Sequence, residues 1–386
     1  MEQYRFNIEV SREAIDDLHA RLDRARWPDE LPGTGWQYGM PKGLLREMAS
    51  YWRNAFDVSA AIARINAFDQ YRMPLAGLDL HFIHQRSPHA GATPLLLVHG
   101  WPGSIVEFLD VIPRLTQPEL FGGRAEDAFH VICPSLPGYG YSAAPPGPGC
   151  GPRYVAQRHL ALMTALGYER FVAQGGDWGA VTCRLLPDLA PERLIGLHLN
   201  LVAPVPPADV PDPAALCTQA EQAALATWQR HQKQNMGYVA IQASRPQTLA
   251  YGLADSPVGL LAWIGEKFHE WADHGGDLRD AVSRDALLTN VSLYWFSNSI
   301  GSSLRLYQEH FAGLARGEGA GPRVDVPFGA AIYPGEFMRP PKAWIERTHR
   351  LVHWFEAERG GHFAAMEQPD IFARDLWRFH GTLRGL

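Results

Sequence analysis

The chain has 386 residues, 46% of them hydrophobic and 20% charged, with a formal net charge of −6 at pH 7. That suits one large globular unit or two fused ones. The mild negative charge, with no long basic run, argues against nucleic acid as a partner, and apolar runs of strand length only, such as PLLLVHG, argue against a membrane span.

The N-terminal stretch MEQYRFNIEVSREAIDDL carries acids early and has no apolar h-region, so no secretory signal is expected. Residues 5–10 alternate like a short strand. A helix is expected next, with Ser11 at its N-cap, Ile15, Leu18 and Leu22 at helical spacing, and Pro28 closing it. A second helix begins with Pro41 in its first turn, which makes residues 1–75 a mostly helical leader.

From residue 78 the texture changes. LDLHFIHQ alternates, whereas PLLLVHG (94–100) and HVICPSL (130–136) are continuous apolar runs, followed by RFVAQGGD (170–177) and RLIGLHLNLV (193–202). Helical patterns lie between them. VPFGAAIYP (326–334), LVHWFEAERG (351–360) and a last helix over DIFARDLWRFHGTL resume the rhythm. Buried strands alternating with helices predict an α/β fold: a mostly parallel central sheet covered on both faces. The core is expected over 76–202 and 323–386. Residues 203–322 open on a proline-rich segment and continue as aromatic-rich helices, read as a helical lid over the carboxyl ends of the strands, where open α/β sheets bind ligands.

Four features fall at expected strand ends. HGWPGS (99–104) has glycines that let the backbone turn sharply, and the N–H of Trp101 is a candidate half of an oxyanion hole. QGGDWGA (174–180) has the frame of a nucleophile elbow, but Asp177 stands where serine is usual. Glu336 follows a strand in YPGEFMRPP, and His362 follows the final strand in RGGHFAAMEQPD. The chain order nucleophile, acid, histidine is that of α/β-hydrolases. Glu336 is preferred as the acid to Asp209, Asp325 and Glu346, because Asp325 precedes its strand and Glu346 lies within the following helix.

A carboxylate nucleophile suits displacement at a saturated carbon, as in an epoxide or alkyl halide, and leaves an ester of Asp177. His362, oriented by Glu336, would activate a water to hydrolyse it, with the N–H groups of Trp101 and Trp178 stabilising the oxyanion. Opening an epoxide also calls for a neutral proton donor, and tyrosine fits. Tyr238 and Tyr307 are candidates, with Tyr139, Tyr141, Tyr251 and Tyr294 equally available on spacing alone.

The chain resembles the microsomal-type epoxide hydrolases of the α/β-hydrolase superfamily from about residue 4 to 380. The leader RLDRARWPDE … WQYGM … YWRNAFD resembles the family's N-terminal domain. HGWPGS, PSLPGYGYS, GGDWGA, GYVAIQASRPQTLAYGLADSPVGLLAWIGEKF and RGGHFAAMEQPD match its signatures. The resemblance implies Asp177 as nucleophile, His362 as base, Glu336 as its acid, and Tyr238 and Tyr307 as ring-opening donors. The family's membrane anchor is missing, so a soluble member is expected, and FDVS departs from an expected FDW. The expected substrate is a small apolar epoxide, with no cofactor and no metal. The assembly is open between monomer and homodimer. Cys133, Cys150, Cys183 and Cys217 show no C-x-x-C pairing and read as reduced cytoplasmic thiols. A haloalkane dehalogenase, with Trp101, Trp178 and Asn200 as halide donors, and a ligand receptor on a hydrolase scaffold are the alternatives.

Overall fold

The computed structural model describes residues 3–321 and 323–386. Nine strands form one sheet: β1 Tyr4–Arg5, β2 Gln70–Leu75, β3 Leu78–Gln85, β4 Thr93–Val98, β5 Phe129–Pro134, β6 Phe171–Gly175, β7 Leu194–Leu199, β8 Val324–Ile332 and β9 His349–Glu356. Their order is β1-β2-β3-β5-β4-β6-β7-β8-β9. The pairs from β1 to β3 and from β3 to β5 are antiparallel, and every pair from β5 through β9 is parallel.

The continuous apolar runs are buried on both faces. In β4, Leu95 and Leu97 join one core and Leu96 and Val98 the other, because successive side chains point to opposite sides. β6 divides in the same way, Val172 against Phe171 and Ala173.

The leader differs from expectation in three places. The strand expected over 5–10 pairs only at Tyr4–Arg5, where it borders β2. The first helix, Arg12–Asp23, is capped by Ser11, whose hydroxyl accepts from Ala14 N, but it ends five residues before Pro28. The leader also ends in a strand: β2 pairs with β3 through a two-residue turn, Ala76 and Gly77, both at positive φ. Positive φ at both central positions is the hairpin geometry. Alanine in the first of them, and Pro74 within the strand, hid the signal.

Between β7 and β8 the chain forms helices over Gln219–Gln234, Gly237–Ser244, Pro246–Asp255, Pro257–Trp271, Arg284–Ser297 and Ile300–Ala315. The leader helix Lys42–Asn54 packs on this layer, with Trp52 Nε1 donating to Ser292 Oγ at 3.0 Å and the Tyr51 hydroxyl to Asp285 at 2.7 Å. Among the described residues, no helix is long and apolar enough to cross a membrane. All four cysteines are free.

Candidate active site

The turn after β4 and the elbow after β6 meet at the carboxyl end of the sheet. Asp177 opens the helix Asp177–Cys183 with φ 47°. Few residues other than glycine hold that conformation, and it lifts the carboxylate clear of the backbone. The glycines around it are steric requirements: a Cβ on Gly179 would lie 2.0 Å from Val98 O, and one on Gly175 2.3 Å from Gly179 C. This helix ends at Cys183, and a separate turn follows at Leu186–Leu189 with Pro187 in its first turn.

Gly100 makes room for the nucleophile itself, since a Cβ there would lie 2.2 Å from Asp177 Oδ1. The Trp101 N–H donates to the same oxygen at 2.7 Å. The N–H of Trp178 belongs to the first turn of its helix, where backbone donors have no intrahelical partner. The helix Arg284–Ser297 holds the turn from the other side. Asn290 Nδ2 donates to Pro102 O at 2.8 Å, and the Tyr294 hydroxyl donates to Gly103 O at 2.7 Å. His99 is neutral here, because burial pushes its pKa down to about 4. Its Nε2 accepts from Leu136 N at 3.1 Å, so Nδ1 carries the proton and donates to Gly100 O at 2.9 Å.

His362 completes the constellation. Its Nδ1 is 2.8 Å from Glu336 Oε2, and its Nε2 is 3.4 Å from Asp177 Oδ2. Both His362 and Glu336 are buried. Burial works against a charge on His362, but Glu336 and then Asp177 outweigh it and raise the imidazole well above its ordinary value. Its loop is clasped from beneath. Glu367 Oε2 accepts from Asp273 N (2.8 Å) and Gly361 N (3.0 Å), while Oε1 accepts from Phe363 N (2.9 Å). The His362 N–H donates to Trp271 O at 2.9 Å.

Opposite the turn, the helices Gly237–Ser244 and Ile300–Ala315 bring Tyr238 and Tyr307 together, with ring centroids 6.0 Å apart. Tyr238 stacks on Trp101 at 5.7 Å. Tyr307 meets Trp101 edge-on at 5.7 Å and Trp178 at 4.7 Å. Burial first, and the nearby Asp177 charge as well, raise both phenols well above their ordinary value, so both are neutral.

The other candidates are engaged elsewhere. Asp209 is exposed and paired with Arg347, Asp325 is exposed and paired with Arg323, and Glu346 lies on the surface near Lys342. The Tyr139 hydroxyl donates to Ser303 O at 3.1 Å, Tyr294 holds Gly103, and Tyr251 is 70% exposed. The Tyr141 ring packs edge-on against His81.

Three titratable residues at the site escaped the sequence reading: Glu107, Glu367 and Lys267. Lys267 is buried between Glu266 (2.7 Å) and Glu270 (2.8 Å), with its ammonium 4.8 Å from the Tyr238 ring centroid. Its signal was available, as one of only four lysines and the lone cation in the apolar run LLAWIGEKF.

A mostly parallel sheet with a strained aspartate elbow, a buried histidine–glutamate pair and a facing pair of phenols defines an enzyme of the α/β-hydrolase class. Family profiles agree: that described as "Epoxide hydrolase N terminus" matches residues 3–108, and "alpha/beta hydrolase fold" matches residues 93–246. A Stigmatella aurantiaca (strain DW4/3-1) protein, provisionally named an epoxide hydrolase, is 46% identical, covering 98% of this chain and 85% of its own. Epoxide hydrolase 1 of Oryctolagus cuniculus is 37% identical over 98% of this chain and 88% of its own. The crystal structure of juvenile hormone epoxide hydrolase from Bombyx mori superposes with a TM-score of 0.89 at 32% identity, covering 100% of this chain and 95% of that one. The Aspergillus niger epoxide hydrolase structure gives 0.88 at 30% identity, covering 99% and 97%. The chain belongs to the epoxide hydrolase family of the α/β-hydrolase fold, and it is a hydrolase acting on epoxides. The dehalogenase and receptor alternatives give way to that assignment.

Proposed function

We propose that the enzyme opens its epoxide through an ester of Asp177 and then hydrolyses that ester to the vicinal diol. The observation that carries this reading is the position of Asp177 at φ 47°, with Oδ1 on the Trp101 N–H and Oδ2 facing His362. In the first half-reaction an Asp177 oxygen attacks a ring carbon. The carbon–oxygen bond of the epoxide breaks, and Tyr238 and Tyr307 protonate the departing oxygen. Forming the ester removes the charge of Asp177, which is one of the two anions supporting the imidazolium of His362. The imidazolium can then give up its proton, which replaces the one lost by the phenols, and the neutral imidazole serves as base. In the second half-reaction a water adds to the Asp177 carbonyl carbon and passes a proton to His362. The N–H groups of Trp101 and Trp178 hold the oxyanion. On collapse the departing alkyl oxygen takes that proton from His362 and leaves as the diol, and the new Asp177 carboxyl passes its own proton to His362, restoring the carboxylate and the imidazolium.

In this reading the helices of residues 203–322 act as a lid that closes over the core of 76–202 and 323–386, with residues 1–75 buttressing the lid. The rings of Trp101, Trp178, Trp271 and Phe337 around the site support an apolar epoxide. Reaction without cofactor or metal, cytoplasmic placement and a possible homodimer belong to the same proposal. The test is a single turnover in heavy-oxygen water. Label is expected in the Asp177 carboxylate and not in the diol. Label entering the diol directly would mean that water attacks the epoxide, and the ester reading would fall. His362→Gln should accumulate protein heavier by one substrate mass, and Glu336→Gln should be milder, since it orients the base without being one.

A further inference from the structure

A small cavity lies beside Asp177 and His362 that the two half-reactions above leave unused. It has a volume of about 10 Å³ and is lined by Glu107, Gly100, Trp101, Gly103, Asp177 and His362, among others. That is room for one water. Neither Tyr238 nor Tyr307 lines it. An ester formed under the tyrosines would therefore keep its alkyl chain on one side of Asp177 and leave the cavity side open.

Glu107 enters from the short helix Ile105–Phe108 that follows the HGWPGS turn. The turn makes space for its carboxyl as it does for that of Asp177. A Cβ on Gly103 would lie 1.7 Å from Glu107 Oε1, just as one on Gly100 would lie 2.2 Å from Asp177 Oδ1. Two glycines of one turn thus each admit one carboxyl group to the same cavity. The third polar wall is His362 Nε2, which is buried and has no hydrogen-bond partner among the described residues. Glu107 is half-buried there, and a water in the cavity has polar partners on three sides.

Resting on the aspartyl-ester reading, we propose that Glu107 and His362 together hold the hydrolytic water in this cavity. The water donates one hydrogen to His362 Nε2 and the other to a Glu107 oxygen, which turns a lone pair toward the Asp177 carbonyl carbon. As the oxygen–carbon bond forms, the first hydrogen passes to His362 as a proton. The tetrahedral centre then collapses, the bond to the alkyl oxygen breaks, and that proton leaves with the alcohol.

The charge arrangement fits this order of events. Burial, with Asp177 adding to it, pushes the Glu107 carboxyl up to about 8, while His362, the Gly100 backbone and the more distant Glu367 also face it. While Asp177 is an anion, Glu107 is largely protonated at neutral pH, and the cavity does not carry two adjacent charges. Esterification removes the Asp177 charge, which favours ionising Glu107, while deprotonation of His362 opposes it, and the carboxyl offers the water an acceptor oxygen in either protonation state.

The experiment separates the two half-reactions by rapid mixing of the full-length enzyme with a single epoxide, following tryptophan fluorescence and intact mass. Glu107→Leu should form the ester at a rate within about threefold of the parent and hydrolyse it 10- to 100-fold more slowly, so that the ester accumulates. Glu107→Gln keeps an acceptor oxygen and should restore hydrolysis to within about fivefold of the parent. Hydrolysis at the parental rate in Glu107→Leu would overturn the inference. So would equal slowing of both steps, or a Gln variant as slow as Leu, since either marks a packing role. Should Glu107→Leu not fold, Glu107→Gln and Glu107→Asp are compared instead. Aspartate is one methylene too short to span the cavity, so hydrolysis as fast in Asp as in Gln would overturn the inference. If the parent forms no ester at all, the aspartyl-ester reading fails first, and the result is distinguishable from failure of the Glu107 assignment.

Discussion

A phenol buried beside a carboxylate holds its proton more tightly than one in water, and that is what a donor to an alkoxide needs. Tyr238 and Tyr307 are both raised well above the ordinary phenol value, by burial and then by surrounding charges that include Asp177. As the proposed donors they would deliver a proton only when negative charge develops on the departing oxygen, favouring the transition state over the bound substrate. General acids contribute about 10²- to 10⁴-fold. Shared between two donors, each Tyr→Phe change is expected to slow ester formation by about 10- to 100-fold, and the double change to nearly abolish it, with hydrolysis of preformed ester unchanged. Rapid-mixing fluorescence reads the first step alone, and a double variant that forms ester at the parental rate would make these tyrosines packing residues. The direction of the pKa shifts adds a pH expectation. Because both phenols stay neutral beyond their ordinary pKa of about 10, ring opening should not decline between about pH 8 and 10 on their account.

At the scale of elements, the site depends on backbones that approach more closely than side chains allow. Gly100 brings the turn after β4 against the elbow after β6, and a methyl group there must displace either the turn or the Asp177 carboxylate. Gly100→Ala is expected to keep its circular dichroism spectrum and lose about 100-fold or more in ester formation, the cost of a nucleophile misplaced by about 1 Å. Parental activity would show that the turn relaxes freely. A second junction lies on the sheet far from the chemistry. Asp375 of the last helix is fully buried, and its two oxygens meet His198 Nε2 of β7 at 2.9 Å and His353 Nε2 of β9 at 2.6 Å. One carboxylate thus ties the helix Pro369–Arg384 to two strands that are not neighbours. Removing one member of such a buried set costs about 3–5 kcal/mol. Asp375→Ala should lower the denaturant midpoint accordingly, and a change under about 1 kcal/mol would mean that packing alone docks the helix.

The whole molecule carries an unusual load of buried neutral histidine. Burial pushes His81 and His159 down to about 3, and His84, His231, His349 and His380 down to about 4. The unfolded chain titrates these groups near pH 6.5, so between that pH and about 4 it binds protons that the folded state refuses. Their contribution is fully present above about pH 6.5 and is lost as pH falls toward the folded values. On account of these histidines the melting temperature should not change from about pH 7 to 8, and it should drop steeply between about pH 6 and 4. A flat profile down to about pH 4.5 would show that these histidines protonate without unfolding. The leader and the helical layer are also bound into one body by Trp52 on Ser292 and Tyr51 on Asp285, so unfolding should be cooperative across them.

Local chemistry was enough to place much of this protein. β4 and β6 were legible because a strand buried on both faces must be apolar without alternation. Asp177 was legible because only glycines fit around an elbow, and His362 because its loop follows the last strand. The histidine–glutamate pair needed no more than the chain order and a choice between strand ends. What sequence left open was decided by approach in three dimensions. On spacing alone six tyrosines were equal candidates, and the family resemblance singled out Tyr238 and Tyr307; in the fold Tyr139 and Tyr294 bond backbone carbonyls, Tyr141 packs on His81, Tyr251 is exposed, and Tyr238 and Tyr307 lie against Trp101. The sequence reading singled out neither Glu107 nor Lys267 as belonging to the site. Their meaning comes from what stands opposite them: a cavity shared with Asp177 and His362 for the first, and the face of Tyr238 for the second. Local pattern records which face a residue turns to the core, whereas the identity of its neighbours there is set by chain segments tens to hundreds of residues away.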